Sequence, residues 1–366
     1  MIAVLRGFTD RVFGRGSAAI TVPPFDGALK PNQMLEGAEI VAELAQPNDL
    51  ASHGGNLYIA NGVEVLRHVG DAMQVVARFD REVTALCALP DGRLAVALDG
   101  REIRVFSAAN GPADNDVAIG GANMTAVNAL TAAPSGNLLA TDGSASYPTS
   151  QWTHDLMSHG RSGRVLSIDV VSKQVEVLAS GLRYAFGIAT SGDGAIVSES
   201  WRHRLLMVGT KGAGRSPLDN LPVYPSRLCP AAGGGFWLTA FTGRTQLVEF
   251  VLRENGYRRR MMQEIDPEFW VAPRLNSGNS FREPMQGAHL KTMGVVKPWA
   301  PPRSYGLVIR LNSDCVPRYS LHSRVDGRNH GVVAAVEAAD SLYVLAKGAG
   351  RLLRLPLTAI EAEFGA

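Results

Sequence analysis

Short apolar segments recur along the chain in pairs, and a turn rich in glycine, aspartate or serine joins the two members of each pair. Residues 84–97, 128–141 and 186–198 show the arrangement most clearly, each with a glycine at the turn. Apolar runs this short, bounded by turn-forming residues, are typical of buried strands and too short for most globular helices. The pattern therefore predicts antiparallel hairpins as the building unit of the fold.

The hairpin is copied six times along the chain. The copies lie at residues 48–60, 84–97, 128–141, 186–198, 226–239 and 330–344. A third apolar strand follows each copy, at residues 64–69, 102–106, 164–169, 204–208, 306–311 and 352–357, and a fourth often follows, as at 74–77 and 174–178. Four short strands repeated with a period of roughly 40 residues predict an all-β fold, a six-bladed β-propeller.

The last copy lacks a fourth strand, and an apolar segment that precedes the first copy supplies one. Residues 39–44 read Glu-Ile-Val-Ala-Glu-Leu, which suits a strand. If this N-terminal strand closes the last blade, the ring has no free edge through which sheets could pair with other chains. We therefore expect a single propeller over residues 39–366, with residues 1–38 as a leader packed on it.

Two blades carry long insertions between their second and third strands, at residues 143–162 and 242–304. The second insertion lies in the fifth blade, and its first half predicts two short helices, 246–254 and 257–265, split at Asn255-Gly256. Its second half is rich in Pro, Gly and Asn and predicts a loop. Loops this long are often functional, so we expect a helical and loop cap over one mouth of the channel, with a ligand pocket beneath it.

Composition and charge narrow the classes of function. The 366 residues are 46% apolar, and 36 basic against 34 acidic side chains leave a net charge of +2, which argues against a nucleic-acid binder. Three cysteines do not form a disulfide framework, and Cys87 and Cys229 occupy the same position in two copies, as buried structural thiols would. With no apolar run of about 18 residues, no membrane insertion is expected, and the cytoplasm is the predicted location.

The repeat places polar residues around one axis, which yields a set of candidate site residues. First strands begin with polar residues and second strands end with them, so both sets reach the same face. Glu199, His330 and Asp142 could form an acid/base site that needs no metal, so we select them as candidate catalytic residues. The candidate substrate-binding residues are Asn48, Asn128, Phe186, Ser226, Arg227, Lys347 and Trp152. Arg227 suits a small-molecule ligand that bears a carboxylate, although these groups could instead bond to channel waters and to each other.

Several segments resemble strictosidine synthase-like proteins. Residues 182–194 with Ser198-Glu199-Ser200 are similar to the fourth blade of that family, residues 221–228 with 234–238 to the fifth, and residues 327–331 with 342–347 to the last. The resemblance implies a six-bladed propeller. It also links the chain to gluconolactonases, senescence-marker proteins and paraoxonases, which are hydrolases with a divalent metal, usually calcium, in the channel.

The sequence departs from this family at the functional motifs. The family's fourth-blade motif is Phe-Pro-Asn-Gly, and Phe186 replaces the asparagine that is a metal ligand in the hydrolases. The fifth-blade motif is Pro-Asp-Asn, and Ser226 and Arg227 follow the proline here. Asn128 still matches a ligand position, and Asn48 is the other candidate. Because calcium needs several oxygen ligands, including carboxylates, we expect no metal cofactor, with calcium retained as the one alternative.

Three functions remain open at this point. The first is a small-molecule enzyme, a hydrolase of a lactone or ester that acts in the channel without the calcium site. The second is a binding propeller without catalysis. The third is a condensing enzyme or lyase of the Pictet–Spengler type, as in the plant synthase. For that reaction the resemblance implies a glutamate early in the last blade, where valines stand here and Glu337 lies at the far end of the strand. The substrate and the oligomeric state are not predicted.

Overall fold

Six four-stranded antiparallel sheets are arranged as the blades of a propeller in the computed structural model of the chain. The structure describes residues 22–365, except 71, 114–115, 122, 193, 210–211, 278–281, 285–290, 293–294, 297–303 and 325–326. Within these residues the predicted all-β, six-bladed β-propeller is confirmed.

Each blade runs from an inner strand at the channel to an outer strand at the rim. Blade 1 contains Pro47–His53, Asn56–Asn61, Glu64–Val69 and Ala72–Arg78; blade 2 contains Val83–Ala88, Arg93–Leu98, Glu102–Ser107 and Val117–Ile119; blade 3 contains Val127–Ala132, Leu138–Asp142, Gly163–Ile168 and Val175–Leu182. Blade 4 contains Ala185–Ser191, Gly194–Glu199, Arg204–Gly209 and Gly212–Ala213; blade 5 contains Val223–Pro230, Phe236–Gly243, Gly306–Leu311 and Pro317–Ser323; blade 6 contains Val332–Ala338, Ser341–Ala346, Arg351–Pro356 and Glu39–Glu43.

The outer strand of blade 6 comes from the N-terminal side of the chain, as predicted. Glu39–Glu43 pairs antiparallel with Arg351–Pro356. Two ion pairs accompany the backbone ladder, Arg354 Nε to Glu39 at 3.1 Å and Arg351 Nε to Glu43 at 2.9 Å. The pairing closes the ring between the first and last blades, so the inner strands of all six blades are fixed around one axis.

Outside the blades, the described residues form four α-helices, a short hairpin and several three-residue 3-10 turns. The helices are Trp152–Met157 (α1), Gln246–Arg253 (α2), Asn255–Glu264 (α3) and Leu357–Phe364 (α4), and the hairpin pairs Lys291–Thr292 with Val295–Val296. The two predicted cap helices are present, but α3 begins at Asn255, so only Glu254 separates them. The sequence pattern missed α4, which buries Ile360 and stacks Phe364 on Tyr319 with 4.4 Å between ring centroids.

The described part of the leader, residues 22–38, packs against blade 5. Leu35 is fully buried, and its carbonyl accepts a hydrogen bond of 2.7 Å from the Asn329 side chain. Phe25 stacks on Tyr305 with 5.4 Å between ring centroids. Residues 1–21 of the predicted leader lie outside the described residues.

The inner strands share one irregularity that determines the site. In every blade the register between the first and second strands shifts at the same place, near the start of the first strand. Such β-bulges re-aim side chains and leave backbone groups outside the ladder. The residues between the shifted pairs are Asn48, Thr84, Asn128, Phe186-Gly187, Ser226-Arg227 and Val333.

Candidate functional site

The bulges of the six inner strands build a pocket at one mouth of the channel. One residue from each bulge lines the pocket, and we call these six residues the bulge ring: Asn48, Thr84, Asn128, Phe186, Arg227 and Val333. The pocket is open to solvent on one side and has a cavity volume of about 50 Å³. It can therefore hold only a small ligand unless the cap moves.

Arg227 closes the channel beneath this pocket and contacts all the other five blades. Its guanidinium donates to the backbone carbonyls of Thr84 (2.9 Å), Asn128 (2.5 Å) and Val333 (3.4 Å), which belong to blades 2, 3 and 6. Its Nε lies 2.9 Å from the Asp49 carboxylate in blade 1, and its Cζ lies 5.3 Å from the ring centroid of Phe186 in blade 4. The three carbonyls belong to bulge residues, so the guanidinium satisfies acceptors in the ring that the bulges leave outside the ladder.

Asp49 is the counter-charge at the axis, and we call Arg227 and Asp49 the axial pair. The Asp49 carboxylate also accepts the backbone N–H groups of Leu50 at 2.8 Å and Leu86 at 2.9 Å. Burial raises the pKa of Asp49 to about 6, against the opposing effects of Arg227 and the two N–H donors. Burial likewise lowers the pKa of Arg227, although Asp49 opposes it. Both shifts have the sign expected when charges leave water.

The arrangement at the axis does not suit the calcium ion that the hydrolase relatives would imply. The oxygens that a hard cation would use, namely three carbonyls and one carboxylate, already surround the Arg227 guanidinium. Phe186 adds a ring on the blade 4 side in place of an oxygen. Among the described residues there is no cluster of three or more His, Cys, Asp or Glu side chains that could hold a metal. Arg227 thus places a side-chain cation among these oxygens.

Lys347 forms the polar side of the pocket together with Asn48. The lysine lies in the 3-10 turn that follows the second strand of blade 6, and its Nζ donates to Asn48 Oδ1 at 2.5 Å. Asn48 Nδ2 donates to Glu82 Oε1 and to the Val83 carbonyl, both at 2.9 Å, which fixes the orientation of the amide. Burial lowers the pKa of Lys347; Glu82 and Asp49 oppose the shift and Arg227 adds to it.

The opposite side of the pocket is an aromatic wall made of Trp152, Tyr184, Phe186 and Phe241. Trp152 and Phe241 meet edge to face at 5.2 Å, and Phe186 lies about 6 Å from both Tyr184 and Phe241. Tyr184 has a φ of 61°, an uncommon backbone conformation for a residue with a side chain, and its hydroxyl bonds to the side chain of Asn128. Strain of this kind often occurs at ligand sites.

Both insertions reach the pocket. The first contributes Thr149 and Trp152, and the second contributes Leu275. The backbone of Leu275 lies against blade 6, where a Cβ on Gly348 would be 1.9 Å from the Leu275 carbonyl oxygen. Only glycine permits this approach, so the residue that follows Lys347 along the chain also anchors the cap beside it.

Six of the seven candidate substrate-binding residues line the pocket: Asn48, Asn128, Phe186, Arg227, Lys347 and Trp152. The seventh, Ser226, lies outside the described lining. Its Oγ pairs with Thr239 Oγ1 at 2.7 Å and with the Val332 carbonyl at 3.2 Å, so it links blades 5 and 6.

The three candidate catalytic residues do not belong to the described pocket lining. Asp142 and Glu199 end the second strands of blades 3 and 4 and accept backbone N–H groups from residues just before the first strand of the same blade, Ala126 and Arg183, both at 2.8 Å. Each also pairs with the arginine opposite it on the third strand: Asp142 with Arg164, and Glu199 with Arg204 at 2.6 Å. The geometry gives both carboxylates the role of connecting strands.

His330 and Glu337 also lie away from the pocket. His330 precedes the inner strand of blade 6 and bonds to Ser304 Oγ at 2.8 Å and to the Arg324 carbonyl at 2.6 Å, while Val333 takes the bulge position. Glu337 accepts hydrogen bonds from Trp237 Nε1 at 2.5 Å and from the Ala232 backbone at 2.8 Å. Neither side chain, therefore, lines the described pocket.

The candidate set did not include the lining residues Thr84, Thr149, Tyr184, Phe241, Leu275 and Val333, or Asp49 at the axis. For Thr84 a signal existed, since it occupies the same slot as Asn48 and Asn128 in the repeat. The strand pattern could not show whether the aromatic residues line a pocket, because a buried aromatic residue suits a hydrophobic core equally well.

Comparison with known proteins shows what the chain is similar to. A family model described as strictosidine synthase matches residues 128–206, which cover blade 3 and the inner part of blade 4. Adipocyte plasma membrane-associated protein of Salmo salar is 28% identical over 250 residues, 60% of each chain, so this chain spans only part of that relative. The Homo sapiens protein of the same name is 27% identical over 303 residues, 70% of this chain and 71% of the human one. The resemblance to the strictosidine synthase-like family is thereby confirmed.

Solved structures agree on the fold. A gluconolactonase from Xanthomonas campestris superposes with a TM-score of 0.54 over 87% of this chain and 88% of its own, at 14% sequence identity. An identity this low is evidence of a shared fold and of nothing finer. The chain is thus a six-bladed propeller that is similar in sequence to strictosidine synthase-like proteins and similar in fold to a gluconolactonase. No helix of the described residues is long and apolar enough to span a membrane.

Proposed function

We propose that this protein is a metal-independent hydrolase of small, uncharged lactones or esters, and that the reaction takes place at the mouth of the channel. The observation that carries the proposal is the amine of Lys347, which lies in the pocket with its pKa lowered by burial. A lysine in that state holds more of its neutral form near neutral pH than an exposed lysine does, and neutral amine can act as a base.

The charges around the pocket favour an uncharged substrate. The positive charge of Arg227 is offset by Asp49, and its guanidinium N–H groups are directed to backbone carbonyls. Glu82 and Asp49 partly offset Lys347. Because no strong excess of positive charge remains, a neutral carbonyl compound with an apolar body fits better than the carboxylate-bearing ligand that the sequence suggested, which stays an untested prediction.

The reaction uses one water. Neutral Lys347 accepts a proton from the water, and the resulting hydroxide attacks the ester or lactone carbonyl carbon. The developing oxyanion accepts a hydrogen bond from the Tyr184 hydroxyl, whose position is fixed by the Asn128 side chain. When the carbon–oxygen bond to the leaving group breaks, the Lys347 ammonium returns its proton to the alkoxide. The aromatic wall holds the apolar body.

The test compares matched lysine variants on phenyl acetate and on a δ-lactone, with chelator present throughout. Replacing Lys347 by Met removes the base, so kcat/KM should fall by about 100-fold or more, as is usual for loss of a general base. Lys173→Met is the control, because Lys173 is exposed on the outer side of blade 3 and should leave the rate unchanged. The wild-type rate should rise with pH and level off below the ordinary lysine range.

Equal rates in wild type and Lys347→Met would contradict the proposal. A saturable ligand recovered chemically unchanged would support the alternative that the chain is a binding propeller. The relatives named above are called membrane-associated, so the cytoplasmic location inferred from the sequence stays a prediction.

A further inference from the structure

The position of the Lys347 amine is fixed more firmly than the base role alone requires. Its Nζ donates to Asn48 Oδ1 at 2.5 Å, and Asn48 is held in turn by the Glu82 carboxylate and the Val83 carbonyl. The chain after Lys347 is closely packed as well, because a Cβ on Gly348 would lie 1.9 Å from the Leu275 carbonyl oxygen. The amine at the end of the flexible Lys347 side chain is thereby held at one side of the pocket.

The electrostatic surroundings favour the nucleophilic form of this amine. Burial disfavours the ammonium, and the nearby Arg227 guanidinium adds to that effect, while Glu82 and Asp49 oppose it and the pKa remains lowered. A lysine that is desolvated beside another cation is the usual arrangement of an amine that attacks carbonyl carbon. Lys30 and Lys173, in contrast, are exposed.

The remainder of the pocket defines the partner of such an amine. The pocket that holds Lys347 is also lined by the flat, uncharged rings of the aromatic wall, Trp152, Tyr184, Phe186 and Phe241, and by the apolar residues Val333 and Leu275. These groups suit a planar or apolar body, and they offer no carboxylate or ammonium that would bind a charged one. Electrophiles of this shape with an unhindered carbonyl are small aryl or alkyl aldehydes and ketones.

We propose that Lys347 forms a reversible imine with small aldehydes and ketones that carry an apolar or aromatic body. The inference goes beyond hydrolysis and does not depend on it, because it requires only the amine and the pocket. It gives the chain a second activity at the same site, the covalent capture of carbonyl compounds.

The bond changes balance without an added reagent. The lone pair of neutral Lys347 Nζ attacks the carbonyl carbon, and one proton passes from nitrogen to the former carbonyl oxygen, which gives a carbinolamine. A second proton leaves nitrogen as the C–O bond breaks, and one water is released for each imine formed. Attack of water reverses every step and returns the free amine and the carbonyl compound.

The experiment treats the full chain with benzaldehyde and sodium cyanoborohydride near neutral pH, then maps benzylated lysines by peptide mass spectrometry. The proposal predicts labelling of Lys347 at least tenfold faster than labelling of Lys173, an exposed lysine in the same molecule that serves as the internal control. Because the reading is taken on wild-type protein, it does not depend on whether a variant folds. The Lys347→Met variant should lose the fast-labelled site only.

Two further readings separate this inference from the proposed hydrolase. Labelling of Lys347 at the rate of Lys173, or slower, overturns the imine proposal, whether or not esters are hydrolysed. Fast labelling without ester hydrolysis upholds the imine and removes the hydrolase. In addition, phenyl acetate present at increasing concentration should slow the labelling of Lys347 and leave that of Lys173 unchanged, since only Lys347 lies in the pocket; equal slowing at both lysines would contradict the assignment.

Discussion

The channel has two adjoining regions with opposite properties. At the axis, Arg227 is surrounded by one carboxylate and three carbonyls, and its contacts join all six blades. At the mouth, Lys347 is oriented by a single asparagine and lies beside open space. Both are cationic side chains close to one another in the same channel, yet the first is enclosed by partners and the second is accessible to a ligand.

Under the proposed function, one propeller channel combines a group that stabilises the fold with a group that reacts. A buried ion pair contributes most when every polar group around it is satisfied, and it becomes strongly destabilising when one partner is removed. A reactive group needs the reverse, namely a defined position with part of its bonding capacity left for the substrate. The bulges serve both needs, because their carbonyls bind Arg227 while the side chains of Asn48 and Phe186 line the pocket.

The largest effect is expected from Arg227→Met. The change leaves the Asp49 carboxylate without its counter-charge and the Thr84 and Asn128 carbonyls without the guanidinium donor. The free energy of unfolding should therefore fall by about 3–5 kcal/mol, the usual cost of breaking a buried pair. Urea denaturation measures it. Arg78→Met is the matched control, since the Arg78 side chain is 70% exposed in its ion pair with Glu64 and should matter by less than about 1 kcal/mol.

The double variant Arg227→Met/Asp49→Asn separates loss of the pair from loss of packing. Removing the orphaned carboxylate should restore part of the stability. If Arg227→Met alone lowers the free energy of unfolding no more than Arg78→Met does, the axial pair does not hold the blades together. The axis and the mouth would then not differ in their contribution to stability.

An intermediate effect is expected from the pH dependence of Asp49. Its pKa is raised from 3.8 to about 6 on folding, so between these values the folded chain keeps a proton that the unfolded chain has released. The contribution of Asp49 to the free energy of unfolding is therefore fully present below about pH 3.8, and it is lost as the pH rises through about 6. A shift of this size corresponds to about 3 kcal/mol.

Comparison with Asp49→Asn isolates that contribution, because all other titrating groups are common to both proteins. Across this pH interval wild type should lose stability relative to the variant, measured by urea denaturation at each pH. Parallel pH curves would show that Asp49 titrates as it does in the unfolded chain. Ester hydrolysis should instead follow the deprotonation of Lys347, so the two regions are followed in different assays.

The smallest effect on stability is expected at the mouth. Lys347→Met removes one hydrogen bond to Asn48, whose amide remains bonded to Glu82 and Val83. We expect a change of about 1 kcal/mol or less in the free energy of unfolding, measured on the same variant that should lose hydrolysis. A change as large as that of Arg227→Met would mean that the mouth is a structural element like the axis.

The repeat pattern was sufficient to predict the fold, including the closing strand Glu39–Glu43. It also located most of the pocket, because the same slot of each inner strand reaches the mouth. It could not place Asp49, since strict alternation turns neighbours to opposite faces and the bulge at Asn48 breaks that alternation. For the same reason, Val333 rather than His330 occupies the slot in blade 6.

The candidate acid/base residues illustrate a second limit of the pattern. Asp142 and Glu199 sit at the predicted ends of strands, but a strand end does not reveal whether a side chain turns to the ligand or to its own backbone. Here both turn to backbone N–H groups and to an arginine opposite them. The arginines at positions 164 and 204 were the available signal, because directly opposite charges on neighbouring strands form pairs.

The most direct test of the account is thermal unfolding of wild-type protein in chelator and in excess calcium. If the Arg227 guanidinium holds the axial position, the two melting temperatures should coincide and no calcium should remain bound after desalting. A melting temperature that rises with calcium and saturates at one ion per chain would contradict the account, because it would show that the axial oxygens bind a metal.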